Sequence, residues 1–284
     1  MNRLKKLFIN AVAILLSFVC VLGLTACNED ISEFDIKISI YNFEDEEMQD
    51  YTLEIELYGH LAPKTVDAIS KYLKAGYYND AVFYKFADYN NLFMIGDLKY
   101  NPDLDENEGF YLNDKKPNLP GEFKYGGTTG SNLTNTKGSI GLWRTWAAQD
   151  SNYNQGSTGM NTGSATWFIP NYQMSTYDDY FCVFAQYDVD DSDNDETLKA
   201  LNKVFSSDAY YESYTIYYTG EYGTNGDGLT FHCVKSESFS ESIDGLFETD
   251  ENSSQYVCYN PYEIKVPING DGEIAARIVS AKAK

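Results

Sequence analysis

Histidine is almost missing from this chain. Of 284 residues only His60 and His232 carry an imidazole, far apart and with no cysteine or carboxylate cluster at ligand spacing beside them. That scarcity argues against a zinc site and against a histidine-based catalytic triad, and both histidines read as structural. Basic residues are scarce too, 21 against 43 acidic ones, for a formal charge of −22. Such a balance argues against nucleic-acid binding and against a polybasic grip on anionic lipid, so the acidity serves solubility. Cysteine is sparse and unevenly placed, with Cys20 and Cys27 near the N-terminus and Cys182, Cys233 and Cys258 left for a folded region. Cys182 lies in the apolar run Tyr180-Phe181-Cys182-Val183-Phe184 and reads as a buried free thiol. Cys233 and Cys258 either pair or stay reduced, because sequence does not fix their separation in space.

What the first residues do contain is a leader. Arg3, Lys5 and Lys6 precede an apolar stretch over 7–22 broken only by Asn10 and Ser17. A basic start followed by an apolar core is the order of a secretory signal. The stretch closes on Leu24-Thr25-Ala26-Cys27, which resembles the lipobox at which a bacterial lipoprotein signal is cut and its cysteine acylated. The alternative is an uncleaved anchor, for which the stretch is barely long enough. Either reading places the rest of the chain outside the cytoplasm, attached to a membrane, with lipid on Cys27 in the first. The expected boundaries are a leader over 1–26, a tether over 27–34, and one domain over 35–284 with an insertion at about 206–259.

Past the tether, Ile36, Ile38 and Ile40 alternate with Lys37 and Ser39, the period of a half-buried strand over 35–41. Leu53, Ile55 and Leu57 repeat it over 51–58, so an antiparallel hairpin is the simplest pairing. Pro63 suits the first turn of a helix, and Val66, Ile69, Tyr72 and Leu73 share one face up to Gly76. Further strands are expected at 82–86, 92–95, 138–143, 165–169, 180–185 and 263–268 or 274–281, with a second helix at 197–205. Gly-, Asn- and Ser-rich stretches at 126–136 and 147–163 read as long surface loops, and the excursion over 206–259 carries its own alternation at 214–218. Many short strands with two helices predict a mainly β fold, a closed or nearly closed antiparallel barrel capped at its ends.

Several short segments then fall in a telling order. Ile55-Glu56-Leu57-Tyr58, Leu61-Ala62-Pro63-Lys64-Thr65-Val66, Gly76-Tyr77-Tyr78-Asn79-Asp80, Val82-Phe83-Tyr84-Lys85-Phe86 and Phe93-Met94-Ile95-Gly96-Asp97 resemble the N-terminal half of a cyclophilin-type peptidyl-prolyl cis-trans isomerase. Pro120-Gly121-Glu122-Phe123, Asn135-Thr136-Lys137-Gly138-Ser139-Ile140, Arg144-Thr145, Ser164-Ala165-Thr166-Trp167-Phe168-Ile169 and Val183-Phe184 follow in the same family's order. The resemblance implies a closed eight-stranded barrel with a helix over each end. It implies rotation about X-Pro bonds without cofactor or metal. The socket for the proline ring would use Phe83, Phe93, Met94 and Phe168, completed by Leu142 and Tyr177. Lys85 would stand where the family carries its catalytic arginine.

The departures are equally specific. Phe83-Tyr84-Lys85 replaces a Phe-His-Arg segment, and lysine lacks the planar fork of paired donors. Gly96 takes the place of a glutamine, the Ser-Gln pair before the Phe-Phe-Ile motif is missing, Thr176 replaces a tryptophan, and Phe181 a histidine or tyrosine. Trp143-Arg144-Thr145 stands where bacterial members often show Ala-Arg-Thr, which leaves Arg144 either reaching the groove or sitting at its rim. The acidic run 188–196 lacks the turn glycine of a calcium loop and reads as a solvated turn. Two functions follow from these residues. One is a lipid-anchored, monomeric foldase of weakened activity that acts on proline-containing segments of unfolded secreted proteins. The other is a catalytically impaired peptide- or protein-binding module at the cell surface. A third reading, a glycan-binding surface protein, draws only on the 25 tyrosines and the polar loops.

Overall fold

Alternation shapes the first two strands as expected. In the computed structural model, which describes residues 31–86, 89–124, 133–144, 161–206, 210–220, 229–239 and 259–284, β1 (Ile31–Asn42) pairs antiparallel with β2 (Glu47–Tyr58). Phe34, Ile36, Ile38 and Ile40 of β1 and Leu53, Ile55 and Leu57 of β2 turn into one core. The strand starts earlier than the expected tether allowed, because Ile31 to Phe34 find partners from Tyr58 to Ile55 and Phe34 is fully buried. The leader, Cys27 and the start of the tether lie outside the described residues.

The helix α1 (Pro63–Lys74) begins at its proline and buries Val66, Ile69 and Leu73. It has no side-chain cap of its own. Both carboxylate oxygens of Glu122, from a distant loop, accept the amides of Lys64 (3.0 Å) and Thr65 (2.8 Å), which satisfies two of the donors a helix start leaves orphaned. The helix α2 (Ser192–Val204) begins inside the acidic run, where Asp191 accepts from the amides of Asp193 and Asn194. The expected solvated turn is therefore the capped first turn of a helix that starts before residue 197, and the described residues include no metal-binding cluster.

The remaining strands are β3 (Tyr84–Phe86), β4 (Tyr89–Ile95), β5 (Leu98–Tyr100), β6 (Phe110–Leu112), β7 (Ser139–Leu142), β8 (Trp167–Pro170), β9 (Cys182–Gln186), β10 (Tyr211–Gly220), β11 (Leu229–Lys235), β12 (Tyr259–Pro267) and β13 (Ala276–Ala283). Eleven of them form one sheet in the order β11-β10-β12-β3-β4-β8-β7-β9-β2-β1-β13, and β5 and β6 form a separate pair. The expected closed eight-stranded barrel is corrected here. The strands β10 and β11, from the 206–259 excursion, extend the main sheet through β12, which pairs with β3, so the ladder is longer and does not close strand to strand. The sheet still curls far enough for β13 to meet the segment before β3. Amides and carbonyls join Asp80 to Ile278, Ile278 to Ala81 and Phe83 to Ala276, with a single bridge between Val82 and Arg277.

Curling leaves two apolar clusters on opposite faces. The inner one takes the buried faces of both helices with Phe83, Phe93, Ile95, Leu142, Trp167 and Ile169. The outer one holds Val82, Tyr84, Met94, Phe168, Tyr177 and Phe181 with Tyr214, Ile216 and Ile264 of the added strands. Cys182 and Cys233 are buried free thiols, burial pushing both up to about 12. Cys258, the suggested partner of Cys233, lies outside the described residues. No helix among the described residues is long and apolar enough to cross a membrane.

Candidate functional site

Successive residues of a strand face opposite ways, and this alternation sorts the expected site residues. Tyr84 of β3 stands opposite Met94 of β4, Met94 opposite Phe168 of β8, and Phe168 opposite Gly141 of β7. These four define the outer face. A Cβ on Gly141 would overlap the tip of the Phe168 ring, so the glycine is what lets that ring pack close against β7. Tyr177 and Phe181 complete the wall, stacked on each other at 4.7 Å, with Phe168 edge-on to Phe181 at 5.5 Å and to Tyr177 at 6.2 Å. Trp143 lies across it, stacked on Phe181 at 5.3 Å and 5.1 Å from Phe86.

Met94, Phe168 and Tyr177 thus come together, and three other expected socket residues do not. Phe83, Phe93 and Leu142 belong to the inner core, each one residue out of phase with a residue of the outer face. Lys85 also lies apart from Met94, Phe168 and Tyr177. It follows Tyr84 and so turns the other way, its ammonium 4.6 Å from the Phe93 ring and 4.8 Å from that of Phe205 at the end of α2. Burial, with Lys265 opposite it on β12, lowers its pKa to about 8. Lys85 is therefore not placed to donate to a peptide lying on Met94 and Phe168. Arg144 is no exposed rim residue either. It is 3 % exposed, its Nε donating to the Tyr180 carbonyl at 2.7 Å and its guanidinium lying between the rings of Phe123 (4.8 Å) and Phe181 (5.3 Å).

Sequence reasoning passed over two polar groups beside the outer wall. Tyr84 has a phenol whose pKa is raised by burial, then by the charge of Asp97, so it keeps its proton. Asp97 has its own pKa raised by burial and takes a hydrogen bond from the Thr166 hydroxyl (3.4 Å). Counting by twos from Met94 across paired strands would have found Tyr84, but the pairing is not in the sequence.

A family model described as cyclophilin type peptidyl-prolyl cis-trans isomerase/CLD matches residues 42–220. The chain belongs to this cyclophilin family. The match runs from the end of β1 to the end of β10 and so includes α1, β4, β8 and α2, and it leaves β11, β12 and β13 outside. Among solved structures, a cyclophilin type peptidyl-prolyl cis-trans isomerase from Cryptosporidium parvum is 18 % identical, with 61 % of this chain and 83 % of that one covered and a TM-score of 0.35. That likeness is too slight to place individual residues. No curated protein matches. The outer wall gathers Met94, Phe168, Tyr177 and Phe181, while Lys85 lies on the inner side.

Proposed function

We propose that this domain is a peptidyl-prolyl isomerase that acts on X-Pro bonds of exported proteins, held outside the cytoplasm by lipid on Cys27, with weak catalysis. The observation that carries the reading is the convergence of Met94, Phe168 and Tyr177 on one aromatic wall at the family's socket positions. Rotation about an X-Pro bond faces a barrier of about 18–20 kcal/mol, set by amide resonance. Lowering it needs no nucleophile. An apolar wall holds the proline ring, and a donor that favours the twisted amide over either planar form lowers the barrier. The inward turn of Lys85 fits weak catalysis, since the ammonium expected to act on the X-Pro amide lies on the other side of the strand. The Tyr84 phenol keeps its proton on the outer side, and a neutral donor stabilises less than a cation.

The second reading is a peptide-binding module with little turnover, and both readings require the wall to open. Met94 and Phe168 have no exposed surface, so the floor of the wall is covered. One measurement separates the two. Magnetisation-exchange NMR on a proline tetrapeptide, with the chain from Asn28 onward, reads cis-trans rates without a protease. Acceleration that falls in Phe168→Ala supports the isomerase; bound peptide with unchanged rates supports the module. The anchor is tested separately: incorporation of labelled fatty acid that disappears in Cys27→Ser supports it, and retained labelling refutes it.

A further inference from the structure

The added strands complete a row of polar side chains that the isomerase reading leaves unused. Residues directly opposite on an antiparallel ladder share a face, with Cβ atoms about 4.5–5.5 Å apart. Lys265 of β12 stands opposite Lys85 of β3 on one side and Ser213 of β10 on the other, so two lysines and a serine line up across three strands. Like charges opposite each other destabilise a sheet, and here one of the two is only 8 % exposed. The Lys85 ammonium lies over the rings of Phe93 (4.6 Å) and Phe205 (4.8 Å) and has no carboxylate among the described residues. Lys265 donates to the Tyr211 phenol at 3.0 Å, with its ammonium 4.7 Å from that ring, and it too has no carboxylate partner among the described residues. The chain holds 43 acidic against 21 basic residues, and Lys37, Lys203, Lys235 and Lys284 each find a carboxylate. Glu263, two residues along β12, is exposed and forms no ion pair with Lys265.

We infer that Lys85, Lys265 and Ser213 form a site for a small oxyanion of the carboxylate or phosphate type, which bridges the two ammonium groups and takes a hydrogen bond from the serine hydroxyl. The inference is independent of the isomerase reading, because this row lies on the side of β3 away from Phe168. A buried cation without a counter-charge is costly, and an anion shared between two of them removes the repulsion and supplies the missing acceptor at once. An oxyanion fits this row better than a single-atom ion, since separate oxygens serve separate donors. Lys265 and Ser213 are half-buried, so the anion reaches them from solvent, while Lys85 forms the inner end of the site.

The test titrates the chain from Asn28 onward with sodium phosphate and with sodium acetate, against sodium chloride at matched ionic strength, and follows thermal melts together with the Nζ signals of 15N-lysine-labelled protein. Phosphate or acetate is expected to raise Tm saturably above the chloride reference and to shift the Lys85 signal in step, and the probe with the larger effect names the anion. Lys85→Met and Lys265→Met each weaken that binding about tenfold or more, the loss of one hydrogen bond between charged groups. Ser213→Ala, which keeps both charges, weakens it a few-fold and keeps the test readable where a lysine variant fails to fold. A rise in Tm that chloride matches, or that persists unchanged in the variants, is general screening and overturns the inference, as does the absence of any rise with both probes.

Discussion

Replacing Lys85 by methionine removes a buried positive charge at little cost in volume. The ammonium has two aromatic faces, Phe93 and Phe205, and no carboxylate partner among the described residues, while Lys265 stands across the ladder. Burial first, then Lys265, lowers its pKa from 10.5 to about 8. At 1.36 kcal/mol per tenfold change in proton affinity, that fall corresponds to about 3 kcal/mol against the charged form. The two ring faces offset part of it, each by about 0.5–2 kcal/mol. Lys85→Met is therefore expected to stabilise the fold by about 1 kcal/mol at neutral pH. The sign of the pH dependence follows from proton binding. Between the folded pKa near 8 and the unfolded one near 10.5, the unfolded chain holds the proton and the folded chain has released it, so the parent gains stability as pH rises through that window. Below the window the penalty is full, and above it the penalty is gone. Urea unfolding of parent and variant at about pH 7, 9 and 10.5 reads the difference between them, in which the titration of every other group cancels. A gap that stays constant across the window, or a variant less stable than the parent at pH 7, refutes the placement of Lys85 as a buried, unpaired amine. The same variant is expected to keep its exchange rate on proline peptides, because the ammonium lies on the face away from Phe168.

Gly141→Ala sets a methyl into the Phe168 ring, and overpacking of this kind costs about 1–3 kcal/mol; thermal melts check the loss, and peptide NMR should show weakened binding as the ring is displaced. Glu122→Ala strips from the start of α1 the one side-chain cap found among the described residues and is expected to cost about 1–2 kcal/mol in urea unfolding. A smaller effect than Asp191→Ala at α2 would put the Glu122 contacts in question. Cys182 and Cys233, buried and with thiols pushed up to about 12, are expected to resist iodoacetamide in the native protein and to react fully in denaturant, as peptide mass mapping would show. Labelling of either under native conditions contradicts its burial.

Much of the fold could be read along the chain. The alternation of Ile36, Ile38 and Ile40, the Pro63 start and Gly76 end of α1, and the collinear segments from Ile55 to Phe184 each follow from local rules, since period, cap chemistry and motif order are properties of neighbouring residues. The expectation of a leader ending at Cys27 rests on linear patterns of the same kind. Which face each site residue takes is a different matter. Phe93 and Met94 are equally apolar and adjacent, and Tyr84 and Lys85 both fit a socket edge; only the pairing of β3 with β4 and of β4 with β8 sends Tyr84, Met94 and Phe168 outward and Phe93 and Lys85 inward. A side-chain period of two turns a one-residue uncertainty into a change of face. The sequence determined which residues are candidates for a proline socket; the tertiary structure decided which of them share a face, that Trp143 lies against Phe168, and that the excursion beyond residue 206 lengthens the sheet, because strand pairing between separate segments leaves no local mark on the chain.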